Sequence, residues 1–419
     1  MLRRSYTFLL YLSLPLVLLR LLWRSIRAPA YRRRWGERFG RFAPPAEGGG
    51  LWIHAVSVGE AQAAAPLIRQ LLDEHPSLPL VVTTTTPTGS ERVRSLFPER
   101  VFHVYLPYDI PFALNGFLCR VRPRMLVMME TEVWPNLLAH CHNAGITTIL
   151  ANARMSAGSA RGYARFGRFA RETFARITLV AAQSEADAGR FSVLGVADSA
   201  VVVTGSIKFD IRIPASLRER SEAVRRAWGD RPVWLAASTH EGEDEQILEA
   251  HHRLLQWDPR VLLVLVPRHP ERFERVAQLC QRLGFEIARR SLAEAVSAQT
   301  QVFLGDTMGE LTLFIGASDL AFVGGSLVPV GGHNLLEPAA FGVPVLIGPH
   351  MFNFAEISRM MLTAGAAVQI ESSTQLSTRA REWLENASLR AEAGECGRTL
   401  VARNRGALER LYALIEQRL

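Results

Sequence analysis

Lysine is almost absent from this chain of 419 residues. Among the 48 residues that are Lys or Arg, only Lys208 is lysine. A general preference for arginine accounts for the others, so Lys208 is a candidate for a position that needs a compact ammonium rather than a planar guanidinium. Chance retention of one lysine is the alternative, and the count alone does not decide between the two.

Cysteine is also scarce, and its pattern excludes two kinds of site. The four cysteines form no CxxC pair and show no spacing of zinc ligands. They predict reduced thiols in a protein body that faces the cytoplasm. The four are Cys119, Cys141, Cys280 and Cys396.

Excess positive charge is confined to one end of the chain. The formal net charge is +8, but residues 1–41 hold ten arginines and one acid, Glu37, which gives +9 there and leaves −1 for the remainder. A nearly neutral body disfavours nucleic acid as a partner. A basic segment beside an apolar run favours binding to anionic membrane lipid.

The longest apolar run lies in that basic segment. Ser5 to Leu19 is uncharged and mostly apolar, with arginines on both sides. Its length is marginal for a bilayer, so a short span and a helix in the interface both stay open, and Pro15 slightly favours the second. A cleaved signal peptide is disfavoured because the arginines after the run oppose export. We predict a membrane anchor and basic flank over residues 1–41.

Two series of predicted strands follow the anchor. Apolar strands that alternate with helical patterns are typical of parallel sheets covered on both faces. We therefore predict an α/β protein with two Rossmann-like domains that face each other across a cleft, over 45–205 and 231–419, with a linker over 206–230. The last thirty residues are predicted to be helical and to pack back across the hinge. The predicted strands are 51–56, 79–84, 101–106, 124–129, 146–150, 177–182 and 199–204, then 233–238, 261–267, 301–306, 319–325 and 343–349.

The motif HAVSVGE, residues 54–60, places an acid where a strand gives way to a helix. The strand is predicted to end at Val56, and Glu60 to open the helix. The helix dipole is expected to keep this carboxylate ionised, which suits a general base. A first-turn glutamate that serves only the helix is the alternative, and His54 is expected to be structural.

Two more acids follow a second buried strand. Glu130 and Glu132 come just before a helix predicted to begin near Trp134-Pro135, and two acids exceed what a helix end needs. Glu130 is the better site candidate because it is nearer the strand, whereas Glu132 is either a site residue or a helix-end residue. Lys208 lies at the predicted domain junction, where a cation could neutralise a phosphate or a carboxylate.

Three strand-to-helix turns in the second series carry polar residues. They contain Arg268-His269, the segment GDTMGEL (305–311), and a glycine-rich loop that ends in GGHN (331–334) before Glu337. Glycines let backbone amides approach a ligand, helix N-termini favour phosphate, and an acid after the loop can bind ribose hydroxyls. Together the turns indicate a nucleotide site.

Arginines also cluster between residues 154 and 176, where six of them accompany a single acid, Glu172. Their spacing predicts that several share one helix face. A phosphorylated acceptor and a solvated or membrane-facing helix surface explain this cluster equally well.

Five motifs occur in order after the anchor: HAVSVGE, METEVWPN, NARMS, TGSIKFD and GGSLVPVGGHNLLEPAAFGVPVLIGP. With them the chain resembles, over essentially its whole length, the 3-deoxy-D-manno-octulosonic acid (Kdo) transferases of lipid A biosynthesis. The resemblance implies the GT-B fold and the inverting transfer of Kdo from CMP-Kdo to the 6'-hydroxyl of a lipid A precursor, lipid IVA, as the first committed step of the lipopolysaccharide core. It also implies the inner membrane of a Gram-negative bacterium, with the catalytic body on the cytoplasmic face.

The resemblance also assigns roles to particular residues. Glu60 matches the general base, and Glu130 and Lys208 match residues that stabilise the transition state. No metal or other cofactor is expected, since no DxD motif stands at a predicted strand end. The positions that match CMP-binding residues are Arg268, His269, Met308, Gly309, Glu310, Leu311, Asn334, Leu335, Leu336 and Glu337.

Two alternatives to this function stay open. Another GT-B protein, such as a nucleotide-sugar epimerase or a UDP-sugar lipid transferase, would bind uracil in place of cytosine. A non-catalytic membrane scaffold on a transferase fold would not need Glu60. The number of Kdo units added also stays open.

Overall fold

A computed structural model describes residues 2–419 as two α/β units. The first unit comprises the chain up to Asp210 together with Arg405–Leu419, and the second comprises Ile211–Asn404. Each unit contains one seven-stranded sheet in which every described strand pair is parallel. The predicted fold class is confirmed.

The sheet of the first unit has the strand order β3-β2-β1-β4-β5-β6-β7. Its strands are β1 (Leu51–His54), β2 (Leu80–Thr84), β3 (Phe102–Tyr105), β4 (Met125–Met129), β5 (Thr147–Ala153), β6 (Leu179–Ala182) and β7 (Val201–Val203). Its helices are α1 (Leu2–Arg27), α2 (Trp35–Arg38), α3 (Val58–Glu74), α4 (Pro87–Leu96), α5 (Pro111–Val121), α6 (Pro135–Asn143), α7 (Ala157–Ala164), α8 (Arg168–Phe174), α9 (Glu185–Leu194) and, from the C-terminal segment, α18 (Ala407–Glu416).

The sheet of the second unit has the strand order β10-β11-β9-β8-β12-β13-β14. Its strands are β8 (Val233–Thr239), β9 (Leu262–Pro267), β10 (Ile287–Arg289), β11 (Val302–Leu304), β12 (Leu320–Val323), β13 (Val345–Ile347) and β14 (Ala367–Gln369). Its helices are α10 (Ala215–Trp228), α11 (Asp244–Trp257), α12 (Phe273–Arg282), α13 (Leu311–Gly316), α14 (Leu336–Phe341), α15 (Ala355–Thr363), α16 (Ser373–Glu385) and α17 (Ala387–Arg403).

The apolar strands form because both faces of each sheet are covered. All residues of β1, β4 and β8 are buried, and each sheet separates two hydrophobic clusters. Such strands are apolar throughout rather than alternating, which is the pattern that a parallel sheet requires. All twelve predicted strands are present, and β10 and β14 were not predicted.

The domain boundaries need correction at two places. The chain passes from one unit to the other at Asp210, and α10, inside the predicted linker, belongs to the second unit. Residues 405–419 belong to the first unit, because the Asp210 carboxylate accepts hydrogen bonds from the backbone N–H groups of Gly406 and Leu408 at 2.6 and 2.7 Å. The C-terminal segment therefore returns to the first unit, as its helical pattern predicted.

The N-terminal helix α1 is long and apolar enough to cross a membrane by length and composition. Pro15 lies inside it without ending it. Its outward apolar side chains are largely exposed: Phe8, Leu9, Leu12, Leu16, Leu19, Trp23 and Ile26 are each at least 60% accessible. This exposed row is the apolar surface that the anchor prediction requires.

Candidate functional site

Glu60 begins α3 in a reciprocal cap. The Ser57 hydroxyl accepts from the Glu60 backbone N–H at 3.3 Å, and the Glu60 carboxylate accepts from the Ser57 hydroxyl at 3.1 Å and from the Val56 N–H at 2.8 Å. This arrangement is of the capping-box type. The serine side chain accepts from the backbone N–H of a glutamate three residues later, and the glutamate side chain reaches back to donors at the start of the helix. Glu60 therefore does serve as a helix cap, which was the alternative to a role as base. The same hydrogen bonds fix its carboxylate at the carboxyl edge of β1.

The electrostatics of Glu60 differ from the expectation. Burial raises the pKa of the Glu60 carboxyl above its ordinary value, and the neighbouring Glu132 and Glu130 carboxylates raise it further, while the Val56 N–H and His54 oppose the shift. The expected helix effect does not dominate, because desolvation disfavours the charged form more strongly. A carboxylate with a raised pKa is a stronger base once it is ionised, which suits proton abstraction.

His54 and Glu132 lie beside Glu60. The His54 ring is fully buried, its Nδ1 is 2.9 Å from the Thr83 hydroxyl, and its Nε2 lies 3.9 Å from a Glu132 carboxylate oxygen. Glu132 also accepts from the Trp134 indole N–H at 2.9 Å. The contact to Thr83 is compatible with the structural role expected for His54, and the charge of Glu132 acts on Glu60.

The chain's one lysine pairs with Glu130. Lys208 Nζ lies 2.9 Å from one carboxylate oxygen of Glu130, and Arg154 Nε lies 2.9 Å from the other. Glu130 is 9% exposed and holds a left-handed backbone conformation, with φ of 57°, directly after β4. The structure thus brings the two predicted site residues together, with Lys208 nearly a third exposed and able to contact a ligand.

Arg154, which sequence reasoning left inside a general arginine cluster, contacts the candidate site residue Glu130. Arg154 follows β5, outside any helix, whereas Arg161 lies in α7, Arg168 and Arg171 lie in α8, and Arg165 and Arg176 follow those helices. No one helix face holds the whole cluster, because Gly167 with φ of 48° separates the two helices. The signal for Arg154 was its position at a strand end, as for Glu60 and Glu130.

In the second unit, the loops after four adjacent strands lie at one edge of the sheet. The order β11-β9-β8-β12 brings together the loops that contain Met308, His269, His240 and the glycine-rich segment 324–334. The carboxyl ends of parallel strands are where open α/β sheets bind ligands. His240, which follows β8, was not among the predicted residues.

The glycine-rich segment is held by a buried acid, Glu243. Its side chain is fully buried and accepts four backbone N–H bonds, from His240, Gly325, Ser326 and Leu327, at 2.7–3.0 Å. Four charge-assisted bonds compensate the burial of one carboxylate and fix the loop. A methyl group on Gly324 would lie 2.5 Å from the Ser238 carbonyl oxygen, so only glycine fits beside β8.

Three histidines meet at this edge. The Nε2 atoms of His240 and His333 are 2.8 Å apart with their rings stacked, and the His269 ring contacts His240 edge-on at 5.3 Å. Burial, followed by nearby positive groups, lowers the pKa of His240 and of His333 to about 4. Both rings are therefore neutral at pH 7.

The remaining predicted nucleotide-binding positions differ in what they expose. Met308 and the Arg268-His269 pair are exposed, whereas Leu335 and Leu336 are fully buried. The Glu310 carboxylate is held by Arg290 at 2.7 and 2.9 Å, and that guanidinium lowers the pKa of Glu310 to about 2.

Glu337 has the opposite environment. It accepts from the Asn334 amide at 3.0 Å, and burial raises the pKa of its carboxyl. Two more predicted positions lie in the segment 305–311. Gly309 has a φ of 84°, and Leu311 begins α13. No group of His, Cys, Asp and Glu side chains suited to a metal ion occurs within residues 2–419.

Comparison with known proteins gives matches over both units. Residues 33–211 match the family model of 3-deoxy-D-manno-octulosonic-acid transferase (kdotransferase), and residues 244–400 match that of glycosyl transferases group 1. A 3-deoxy-D-manno-octulosonic acid transferase from Haemophilus influenzae is 45% identical, over 99% of this chain and 98% of its own. One from Bordetella pertussis is 38% identical over 99% of each.

A solved structure of the UDP-GlcNAc 2-epimerase from Neisseria meningitidis shares the fold at 15% identity, with a TM-score of 0.57 over 88% of this chain and 99% of that one. The two parallel-sheet units and the transferase family matches define a glycosyltransferase of the GT-B class. The near full-length identities are more specific. The chain belongs to the 3-deoxy-D-manno-octulosonic acid transferase family.

Proposed function

We propose that this transferase moves Kdo from CMP-Kdo to the 6'-hydroxyl of the lipid A precursor lipid IVA, with inversion at the anomeric carbon. The observation that carries the proposal is the Glu60 carboxylate, fixed by Val56 and Ser57 and given a raised pKa by burial. Glu60 takes the proton of the acceptor hydroxyl as its oxygen attacks the anomeric carbon and the bond to the CMP phosphate breaks.

Lys208 and Glu130 support this step from the same sheet edge. Lys208 supplies a positive charge toward the negative charge that develops during transfer, and Glu130, paired also with Arg154, holds the lysine in place. A fixed ammonium needs no reorganisation during the reaction, which is the source of its effect.

CMP binds the loops at the carboxyl edge of the second sheet in this proposal. Arg268 and His269 lie toward the phosphate, the backbone of 308–311 and 334–336 contacts the nucleoside, and Glu337 binds ribose hydroxyls. The support is that Arg268, His269 and Met308 are exposed at the same sheet edge as the glycine-rich loop.

The exposed apolar row of α1 and its flanking arginines hold the enzyme at the inner membrane of a Gram-negative bacterium, with the catalytic body on the cytoplasmic face. Anionic lipid is the expected partner of those arginines. Nucleic acid is not an expected partner. Residues 1–41 carry a net charge of +9, and the rest of the chain carries −1, which together give the total of +8.

The test is incubation of the full chain in detergent with CMP-Kdo and lipid IVA, with products analysed by mass spectrometry. The expected result is a mass increase of one or more Kdo units, and the number of units answers the open question of multiplicity. Titration with CMP and with UDP is the control for the donor. Binding of UDP without binding of CMP would contradict the proposal and favour a UDP-sugar enzyme.

A further inference from the structure

The helix α1 contacts the first unit near both of its ends. The Tyr6 hydroxyl donates to Asp109 at 3.0 Å, and the Thr7 hydroxyl donates to the Asn136 side chain at 3.1 Å. Toward the other end, Leu21 is 9% exposed and Ser25 is 1% exposed. Val17 and Leu21 also line a cavity together with Thr85 and Leu106 of the body, so α1 lies along the body, an orientation that suits a helix in the membrane interface.

A cavity of about 480 Å³ lies between α1 and the body of the first unit. Arg20 and Arg24 line it from α1, and Arg38 and Tyr108 line it from the body. Arg20, Arg24 and Arg38 give the cavity three positive charges, against the two negative charges of Asp109 and Glu132 in the same lining. Such a lining selects an anionic group.

Two buried donors that line this cavity have no hydrogen-bond partner among the described residues. They are Arg38 Nε and the Tyr108 hydroxyl. Arg38 is 6% exposed and uses Nη2 to donate to the Thr85 carbonyl at 2.9 Å, and burial raises the pKa of Tyr108, so its hydroxyl stays a donor. Buried donors in native proteins are almost always paired, so this pair points to a ligand with several acceptor oxygens.

The cavity adjoins the proposed base. Val56 and Glu132 also line it, and the Val56 N–H is the donor that holds the Glu60 carboxylate at 2.8 Å. An anionic group bound by the arginines would therefore belong to the molecule whose hydroxyl reaches Glu60.

A second cavity, of about 410 Å³, shares Glu132 and Trp134 with the first. Its other lining is mainly apolar and aromatic and includes Tyr163, Phe166 and Phe169, with Tyr6 from α1. Phe166 is 66% exposed at this surface. An apolar cavity beside an anion cavity, both walled by an interfacial helix, matches a phosphorylated sugar that carries acyl chains.

We infer that α1 is a wall of the acceptor site as well as an anchor: Arg20 and Arg24 bind, with Arg38 and Tyr108, a phosphate monoester of the acceptor lipid, and one acyl chain enters the aromatic cavity. The inference rests on the proposed function and adds to it the group that the helix recognises.

The test compares the wild type with a double variant that carries both Arg20→Gln and Arg24→Gln. The assay is run in detergent without phospholipid. The KM for lipid IVA is expected to rise about 10-fold or more, because two charge-assisted contacts are lost, while the KM for CMP-Kdo stays unchanged. Tyr108→Phe, which keeps the ring, is expected to raise the same KM about 3- to 10-fold through loss of one hydrogen bond.

The matched control is a double variant that carries both Arg4→Gln and Arg33→Gln. It removes the same charge from exposed positions that do not line the cavity. Its KM for lipid IVA in detergent is expected to equal that of the wild type. Lipid IVA stripped of its phosphates with phosphatase should be used equally by the wild type and by the Arg20/Arg24 variant.

Three results would overturn the inference. One is an equal rise in KM in the control, which would indicate charge alone. Another is a defect that appears only on phosphatidylglycerol vesicles, which would assign the arginines to membrane phospholipid. The third is an undiminished difference on the phosphate-free acceptor. Failure of the wild type to transfer Kdo at all would refute the proposed function instead, so the two failures are distinguishable.

Discussion

At the scale of single residues, the charges around Glu60 set the pH at which this proposed base is ionised. Burial and the Glu132 and Glu130 carboxylates raise the pKa of Glu60, so the fraction in the basic, ionised form falls at a higher pH than for an ordinary glutamate. The acid limb of the pH profile of kcat/KM is therefore expected above pH 4.5.

The variant Glu132→Gln tests this electrostatic coupling. Removal of a neighbouring negative charge lowers the pKa of Glu60, so the acid limb should move to lower pH. Glu91→Gln, on the exposed side of α4, removes the same charge without contact to the site and should leave the limb in place. A limb that stays fixed in Glu132→Gln would mean that another group controls it.

Positions at strand ends were predictable, whereas partners distant in sequence were not. Glu60, Glu130 and Lys208 were chosen from local patterns and chain position. The contact between Glu130 and Arg154, and that between His240 and His333, join residues 24 and 93 positions apart. The raised pKa of Glu60 likewise depends on burial by distant segments, which a local helix argument does not contain.

At the scale of elements, the glycine-rich loop depends on Glu243. Its four backbone contacts shape the segment from which the donor site is proposed to be built. In Glu243→Gln, one accepting oxygen becomes an amide that faces N–H donors, so the loop loses its shape. We expect the KM for CMP-Kdo to rise about 10-fold or more, since charge-assisted bonds are lost.

Glu241→Gln is the matched control for this change, because Glu241 is exposed and pairs with Arg275 at the surface. It should leave the KM for CMP-Kdo unchanged. An unaltered KM in Glu243→Gln, with folding intact by circular dichroism, would mean that the loop keeps its shape without this carboxylate.

The elements missed from the sequence are short and weakly patterned. The edge strands β10 and β14 have three residues each and are not fully buried, so they lack the apolar run that identified the central strands. The break between α7 and α8 was missed because Gly167 alone marks it, and a glycine within a helical pattern is weak evidence of an end.

At the scale of the whole molecule, the C-terminus belongs to the first unit although its neighbours in sequence do not. Leu411 of α18 is fully buried in a core cluster of the first unit, whereas Val401 of α17, ten residues earlier, is fully buried within the second unit. The sequence predicted that the chain packs back, but the crossing point depends on the contacts of Asp210 with Gly406 and Leu408, which are 196 and 198 positions away in the chain.

Substitutions at these two positions should therefore destabilise different units. Leu411→Ala is expected to cost about 2–5 kcal/mol in the unfolding free energy of the first unit, and Val401→Ala a smaller amount in that of the second, because fewer buried groups are removed. Hydrogen exchange read on the strands of each sheet is the measurement. Faster exchange in the second sheet for Leu411→Ala would contradict the assignment.

Glu60 is proposed to be a base and not only a helix cap. The variant Glu60→Gln separates these two roles. Glutamine can still complete a capping box, so α3 should keep its stability, but the amide cannot accept the acceptor's proton. The measurement is single-turnover transfer of Kdo from CMP-Kdo to lipid IVA, followed by mass spectrometry beside a thermal melt. A rate about 10²- to 10⁴-fold lower with an unchanged melting temperature is predicted; transfer at the wild-type rate would contradict the account.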